Sequence, residues 1–124
     1  MKSKYNNRKV TTVDGQVFDS AREALRWSHL RLLQHAGKIS ELQRQVPYEL
    51  IPAQYETFER YGKRGQRLKD GKRLLEKAII YVADFVYVKD GEVVVEDAKG
   101  VRTPDYVIKR KLMLYLKGIK ILET

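Results

Sequence analysis

The dipeptide Asp90-Gly91 stands between two runs rich in β-branched and aromatic residues, A-I-I-Y-V-A-D-F-V-Y-V at 78–88 and E-V-V-V-E-D-A-K at 92–99. Asp-Gly flanked by such runs is the strongest short-range signal for a hairpin, so the spacing predicts an antiparallel pair joined by a two-residue turn. The turn also sets the register: with Lys89 opposite Glu92, Val88 meets Val93, Val86 meets Val95 and Asp84 meets Asp97. Directly opposed residues share a sheet face. One face therefore carries Val82, Asp84, Val86 and Val88 beside Val93, Val95, Asp97 and Lys99, apolar near the turn and charged at the far end.

The flanking elements read as helices and short strands. After an irregular lead-in with a turn at Asp14-Gly15, Ser20 followed by Glu23 forms a capping box that opens a helix over 20–36, closed by Gly37. Ala21, Ala24, Leu25, Ser28 and Leu32 form its small-and-apolar stripe. Residues 44–52 read as a strand in which Pro47 implies an edge or a bulge. Thr103 and Pro104 open a second helix with apolar positions at Ile108, Leu112 and Tyr115, ended by Gly118, and 119–122 is a last strand. The element order is α, β, β, β, α, β, a mixed α/β class. Between 54 and 77, Gly62, Gly65 and Gly71 sit among basic residues, and a mobile basic loop and a partial helix fit equally well.

A chain of 124 residues has room for one core, so a single domain over 1–124 with a basic insertion at 54–77 is expected. With no cysteine there is no disulfide framework, thiolate zinc site or cysteine nucleophile. The longest uncharged apolar run, Ala78–Ala83, is far short of the roughly 20 residues of a membrane span. The start M-K-S-K-Y-N-N-R-K lacks the apolar centre of a signal peptide, so a cytoplasmic chain without membrane attachment is expected. The net charge is +9 and clustered. Residues 1–9 hold four cations and no acid, 59–77 hold eight cations and three acids, and 99–120 hold seven cations against Asp105. Clustered positive charge on a small domain is the footprint of a polyanion binder, above all nucleic acid.

Two aspartates opposed in a sheet gain nothing for folding. Their side-chain origins lie about 5 Å apart, where Coulomb's law at an effective dielectric of 20 gives roughly 3 kcal/mol of repulsion. A shared proton, a cation between them or a different register would each relieve it. Hard oxygen ligands at this spacing suit Mg²⁺ or Mn²⁺, and Lys99 on the same face is placed to orient a water or to stabilise charge on a phosphate. The plainer alternative is a charged strand end with a solvent-facing Asp97–Lys99 ion pair.

A-D-F at 83–85, followed after a hairpin by E-D-A-K-G at 96–100, resembles the core of the PD-(D/E)XK nuclease superfamily, and the αβββαβ order is similar to its restriction-endonuclease-like fold, a mixed sheet with flanking helices. The resemblance implies Asp84 and Asp97 as metal-holding acids, Lys99 as the catalytic lysine, Glu23 as a third acid and Gln45 as a supporting residue. With K-Y-N-N-R-K, F-D-S-A-R-E-A and R-Q-V-P-Y-E-L, the likeness extends to small phage-encoded proteins of that superfamily, over most of the chain except 54–77. Ala83 stands where the name-giving proline would be. The resemblance implies a Mg²⁺- or Mn²⁺-dependent DNA endonuclease acting on branched or Holliday-junction DNA as a homodimer, in the host cytoplasm if phage-encoded. A non-catalytic DNA-binding accessory protein, or RNA as the substrate, are the rival readings.

The candidate DNA contacts are Arg60, Lys63, Arg64, Arg67, Lys69, Lys72 and Arg73 of the insertion, with Arg102, Lys109 and Arg110 near the second helix. Tyr55, Tyr61 and Tyr106 are candidates for stacking on bases. Glu96 points to the face opposite the aspartates and reads as peripheral. His29 and His35 lack partners at ligand spacing, which argues against zinc. No glycine-rich phosphate loop, nucleophile elbow or dinucleotide fingerprint is present.

Overall fold

A computed structural model describes residues 9–12 and 14–124. Most of the basic lead-in and of the K-Y-N-N-R-K motif lies outside the described residues, of which Lys9 is the first. The elements are β1 (Val10–Thr11), β2 (Val17–Phe18), α1 (Ala21–His35), β3 (Ser40–Ile51), β4 (Gln54–Tyr61), β5 (Arg67–Glu76), β6 (Ile79–Lys89), β7 (Glu92–Asp97), α2 (Pro104–Lys117) and β8 (Leu122–Glu123). The fold is mixed α/β. A four-stranded sheet in the order β3-β6-β7-β8 combines the antiparallel β6–β7 hairpin with a parallel β7–β8 pair. β1 pairs with β2 and β4 with β5 as separate two-stranded ribbons. No helix among the described residues is long and apolar enough to cross a membrane.

The hairpin has the expected register, with Lys89 opposite Glu92, Val88 opposite Val93 and Val86 opposite Val95. Asp90 (φ 52°) and Gly91 (φ 78°) both take the left-handed conformation that a tight two-residue hairpin turn needs. Both N-caps and the α2 C-cap are also as read. Ser20 Oγ accepts the Glu23 amide at 3.1 Å, Thr103 Oγ1 accepts that of Tyr106 at 3.1 Å, and Gly118 closes α2 at φ 65°. The strand expected at 44–52 is longer, Ser40–Ile51, and continues through Pro47.

Contacts along the backbone divide the chain into two compact units, one of residues up to Pro47 together with Val82–Thr124, the other Tyr48–Tyr81. The first holds the main core. Leu30 of α1, Ile39, and Phe85 and Tyr87 of β6 are buried, with Trp27, Leu33, Leu42, Val94 and Ala98 packed around them. Trp27 stacks on Phe85 with ring centroids 6.0 Å apart.

The inward face of α1 is not the stripe expected from apolar spacing. Leu25 and Leu32 are 74% and 68% exposed, while Glu23, Ala24 and Leu30 are buried. The physical reason is that α1 directs a carboxylate (Glu23) and a guanidinium (Arg26) inward, so its core-facing side does not read as apolar. Similarly, α2 buries Tyr106 and Met113 and leaves Ile108 and Tyr115 exposed.

Glu96 is corrected as well. It does lie on the face opposite the aspartates, but that face is the core, and Glu96 has no exposed surface. Arg26 holds both of its oxygens, at 2.7 and 2.8 Å, and the Tyr87 hydroxyl donates to Oε1 at 2.7 Å. The Thr124 hydroxyl donates to Oε2 at 3.2 Å, tying the C-terminal strand to the hairpin. A carboxylate buried this deeply is tolerated because it is paired and hydrogen-bonded on both oxygens.

The second unit replaces the expected loop or partial helix with a β-ribbon. Tyr55 pairs with Leu74, Thr57 with Lys72, Phe58 with Gly71 and Tyr61 with Arg67, with a register shift between Phe58 and Arg60. The Phe58 ring lies against the Gly71 backbone, where a Cβ would overlap it.

Candidate functional site

The hairpin brings the two aspartates together at its open end. Asp84 and Asp97 stand one step beyond the Phe85–Glu96 pair, close enough that the Asp97 side chain acts directly on the Asp84 carboxyl. The Ala98 amide donates to Asp84 Oδ2 at 2.9 Å. Burial, the Asp97 charge and the Glu23 charge, in that order, push the Asp84 carboxyl up to about 8. Burial and the neighbouring acids thus favour the protonated form of Asp84.

Lys99 sits beside the pair, its Nζ 3.0 Å from Asp97 Oδ1 and 4.1 Å from the centre of the Tyr106 ring. Backbone bonds from Thr124 N to the Asp97 carbonyl and from Lys99 N to the Thr124 carbonyl, both 3.0 Å, extend the β8 pairing beyond Asp97. The lysine is therefore anchored at the backbone although it lies past the end of β7.

Glu23 and Gln45 join from α1 and β3. Gln45 Nε2 donates to Glu23 Oε1 at 3.1 Å and, more weakly, to Asp84 Oδ1 at 3.4 Å. Gln45 has φ 52°, a strained conformation for a residue other than glycine, and it lies within β3 two residues before Pro47. The Glu23 side chain thus turns to Gln45 while its amide is capped by Ser20. Burial, followed by the Asp19 charge, raises the Glu23 carboxyl, and Arg44, 3.5 Å away, opposes the rise.

Arg44 carries a role that the sequence reading did not assign, although it stands in the R-Q-V-P-Y-E-L segment. Its guanidinium lies 3.8 Å from the centre of the Phe18 ring and donates to Gln16 Oε1 at 2.7 Å and the Val17 carbonyl at 3.1 Å. It links the β2 strand to the acid on α1.

Glu23, Asp84 and Lys99 border a cleft of about 530 Å³ whose lining also includes Asp19, Ser20 and Arg22. The first turn of α1, the positive end of its dipole, forms part of the wall. The lining mixes the carboxylates of Asp19, Glu23 and Asp84 with the cations Arg22 and Lys99. Among the described residues, no three His, Asp or Glu side chains converge at metal-holding distance. The acids that meet directly are Asp84 and Asp97, and Glu23 is held to one side by Gln45 and Arg44.

The remaining candidates divide clearly. Arg102 bonds both oxygens of Glu123 at 3.0–3.2 Å, and Arg110 lies 3.6 Å from the same carboxylate. Tyr106 is buried, at 5% exposure, and is not available to stack on a base, whereas Tyr55 and Tyr61 are half exposed. The seven candidate cations of the insertion, Arg60 to Arg73, are all exposed on the β4–β5 ribbon and its turn. Residues 2–120 match the family described as "Protein of unknown function (DUF1064)". The chain belongs to that family. No curated protein and no solved structure matches this DUF1064 chain.

Proposed function

We propose that the protein is a divalent-metal-dependent DNA endonuclease of the PD-(D/E)XK type, with Asp84, Asp97 and Lys99 as its catalytic residues. The observation that carries this reading is the Asp84–Asp97 pair at the open end of the hairpin, with Lys99 Nζ 3.0 Å from Asp97 Oδ1. The donor set fits Mg²⁺ or Mn²⁺: two hard carboxylates, forced together by the hairpin and lacking enough positive charge to ionise together, are what such an ion binds while keeping several waters.

Asp84 and Asp97 would hold the ion, which when bound supplies a Lewis acid for a phosphodiester oxygen and an acidified water. Lys99 orients the attacking water and places positive charge beside the phosphate. The Ala98 amide and Gln45 fix the Asp84 carboxylate, and Gln45 with Arg44 keeps Glu23 close as added negative potential. Arg22, which lines the same cleft, adds a second cation for the phosphate. Hydrolysis breaks one P–O bond in line with the incoming water and leaves a phosphate and a hydroxyl end.

The resemblance extends the reading to branched DNA cut by a homodimer. The apolar residues Ile108 and Tyr115, exposed on α2, are consistent with a surface that a second copy covers. The test is a panel of labelled junction, flap, duplex and single-stranded DNAs, and RNA, incubated with Mg²⁺, with Mn²⁺ and with EDTA. Metal-dependent nicking of junction DNA is expected. Binding without cleavage in either metal would assign the accessory role instead.

A further inference from the structure

The β4–β5 ribbon has a composition and geometry that the cleft chemistry does not use. All eight residues of β4 are exposed, and of β5 only Leu68 and Gly71 are partly covered. Residues 60–69 hold five cations (Arg60, Lys63, Arg64, Arg67, Lys69) and no acid. The apex is ordered by its own bonds. Gly62 N donates to the Gln66 carbonyl at 2.8 Å and Gly65 N to the Gly62 carbonyl at 2.9 Å. Gly65 takes φ 77°, and the Arg64 amide donates to Gln66 Oε1 at 3.0 Å. This is a tight turn that presents Lys63 and Arg64 at its outermost positions.

Aromatic rings and cations then alternate along the ribbon. The Lys72 ammonium lies 4.2 Å from the Tyr55 ring centre, Arg73 lies 4.5 Å from that of Phe58, and Arg67 lies 5.8 Å from that of Tyr61. Such pairs stiffen an otherwise unsupported two-stranded ribbon, which alone is marginal in water. Arg67 and Arg73 also answer Asp70 and Glu56. Among the described residues, Lys63, Arg64 and Lys69 make no ion pair, so their charge is available to a ligand.

We propose that this ribbon is a DNA-binding arm that enters the major groove of a double helix, with Lys63 and Arg64 leading and Arg60 and Lys69 on the flanking phosphates. Three features select double-helical DNA. A stiff ribbon whose strands lie about 4.8 Å apart fits the B-DNA major groove, about 12 Å wide, which admits a two-stranded β-ribbon. The major groove of A-form RNA is deep and narrow and does not. Five cations without an acid complement two phosphate rows, whereas a protein partner would meet an apolar centre, which the apex lacks. The inference takes from the proposed function only that the ligand is DNA, and it stands on residues that take no part in the cleft.

The test measures equilibrium binding in EDTA, so that no chemistry is needed. Wild type, the triple variant Lys63→Gln/Arg64→Gln/Lys69→Gln, and a charge-matched control, Lys38→Gln/Lys117→Gln/Lys120→Gln, are titrated against fluorescent duplex DNA, duplex RNA and heparin over a range of salt. The melting temperatures of all three should agree, because every altered side chain is exposed. Each phosphate contact contributes about −0.9 to the slope of log K against log salt, so the ribbon variant should flatten the slope on duplex DNA by about 1 for Lys69 alone and up to about 3 with the charges of Lys63 and Arg64, and the control by less than 1. The ribbon variant should lose little on duplex RNA. An unchanged slope, or equal losses on DNA, RNA and heparin, would overturn the arm. Loss of cleavage in the metal panel with this ribbon effect intact would overturn the nuclease reading alone.

Discussion

Asp84 lies one step beyond the Phe85–Glu96 pair, which sets it against Asp97 at the open end of the β6–β7 hairpin. Two carboxyl groups so placed favour keeping a proton on one of them. Asp84 has the raised value, about 8 against 3.8 for the free side chain, because burial and its acidic neighbours penalise its anion.

That proton couples stability to pH. The folded protein binds it more tightly than the unfolded chain, so the contribution is full below about pH 4 and is lost as pH rises through about 8. Melting temperature in EDTA should therefore fall from pH 5 to pH 9. Asp84→Asn, which donates as the neutral acid does, should remove most of that slope and melt above wild type at pH 9. Melts in a pH series on both proteins check this, and parallel curves would contradict it.

A divalent ion should replace the proton. At pH 8, Mg²⁺ or Mn²⁺ at a hundredfold excess over Kd should stabilise wild type by about 2.7 kcal/mol, by mass action. Asp84→Asn should show no such gain. Denaturant titrations with and without metal read the difference.

Glu96 offers the opposite kind of acid, with a structural role. Arg26→Ala leaves it buried without its guanidinium, which should cost about 3 to 5 kcal/mol. Arg26→Met/Glu96→Leu, which removes both charges, should cost much less than the single change. Urea denaturation of the three proteins measures this coupling. Equal losses would mean that Arg26 acts through packing alone.

Lys99→Met should reduce cleavage about a hundredfold or more while DNA affinity falls by less than tenfold, since the role proposed for the lysine is at the reacting phosphate. Single-turnover cleavage and anisotropy separate the two effects.

The hairpin, its register and the helix caps were legible because each depends on local chemistry: Asp90-Gly91 accepts positive φ, and Ser20, Thr103 and Gly118 satisfy helix ends. The approach of Asp84 to Asp97 followed from counting outward from that turn. The inward faces of the helices were not legible, because α1 points Glu23 and Arg26 inward for the cleft and for Glu96. Alternation placed Glu96 on the correct face, but which face was the core depends on where α1 lies. The 54–77 ribbon was hidden because cation–ring pairs and a Gly71–Phe58 contact order it, and none of these produces an alternating apolar pattern. Arg44 gave no signal beyond its position next to Gln45.

The central claim is that Asp84 and Asp97 form the metal-holding pair of a DNA nuclease. The most direct measurement is junction-DNA cleavage in Mg²⁺ by wild type, Asp84→Asn and Asp97→Asn, with binding followed in parallel. Losing a ligand to an ion that stabilises the transition state by several kcal/mol should slow each variant about a thousandfold or more. Binding should hold or tighten, since a negative charge near the phosphate is gone. Wild-type cleavage rates in either variant, or cleavage by wild type that persists in EDTA, would contradict the account.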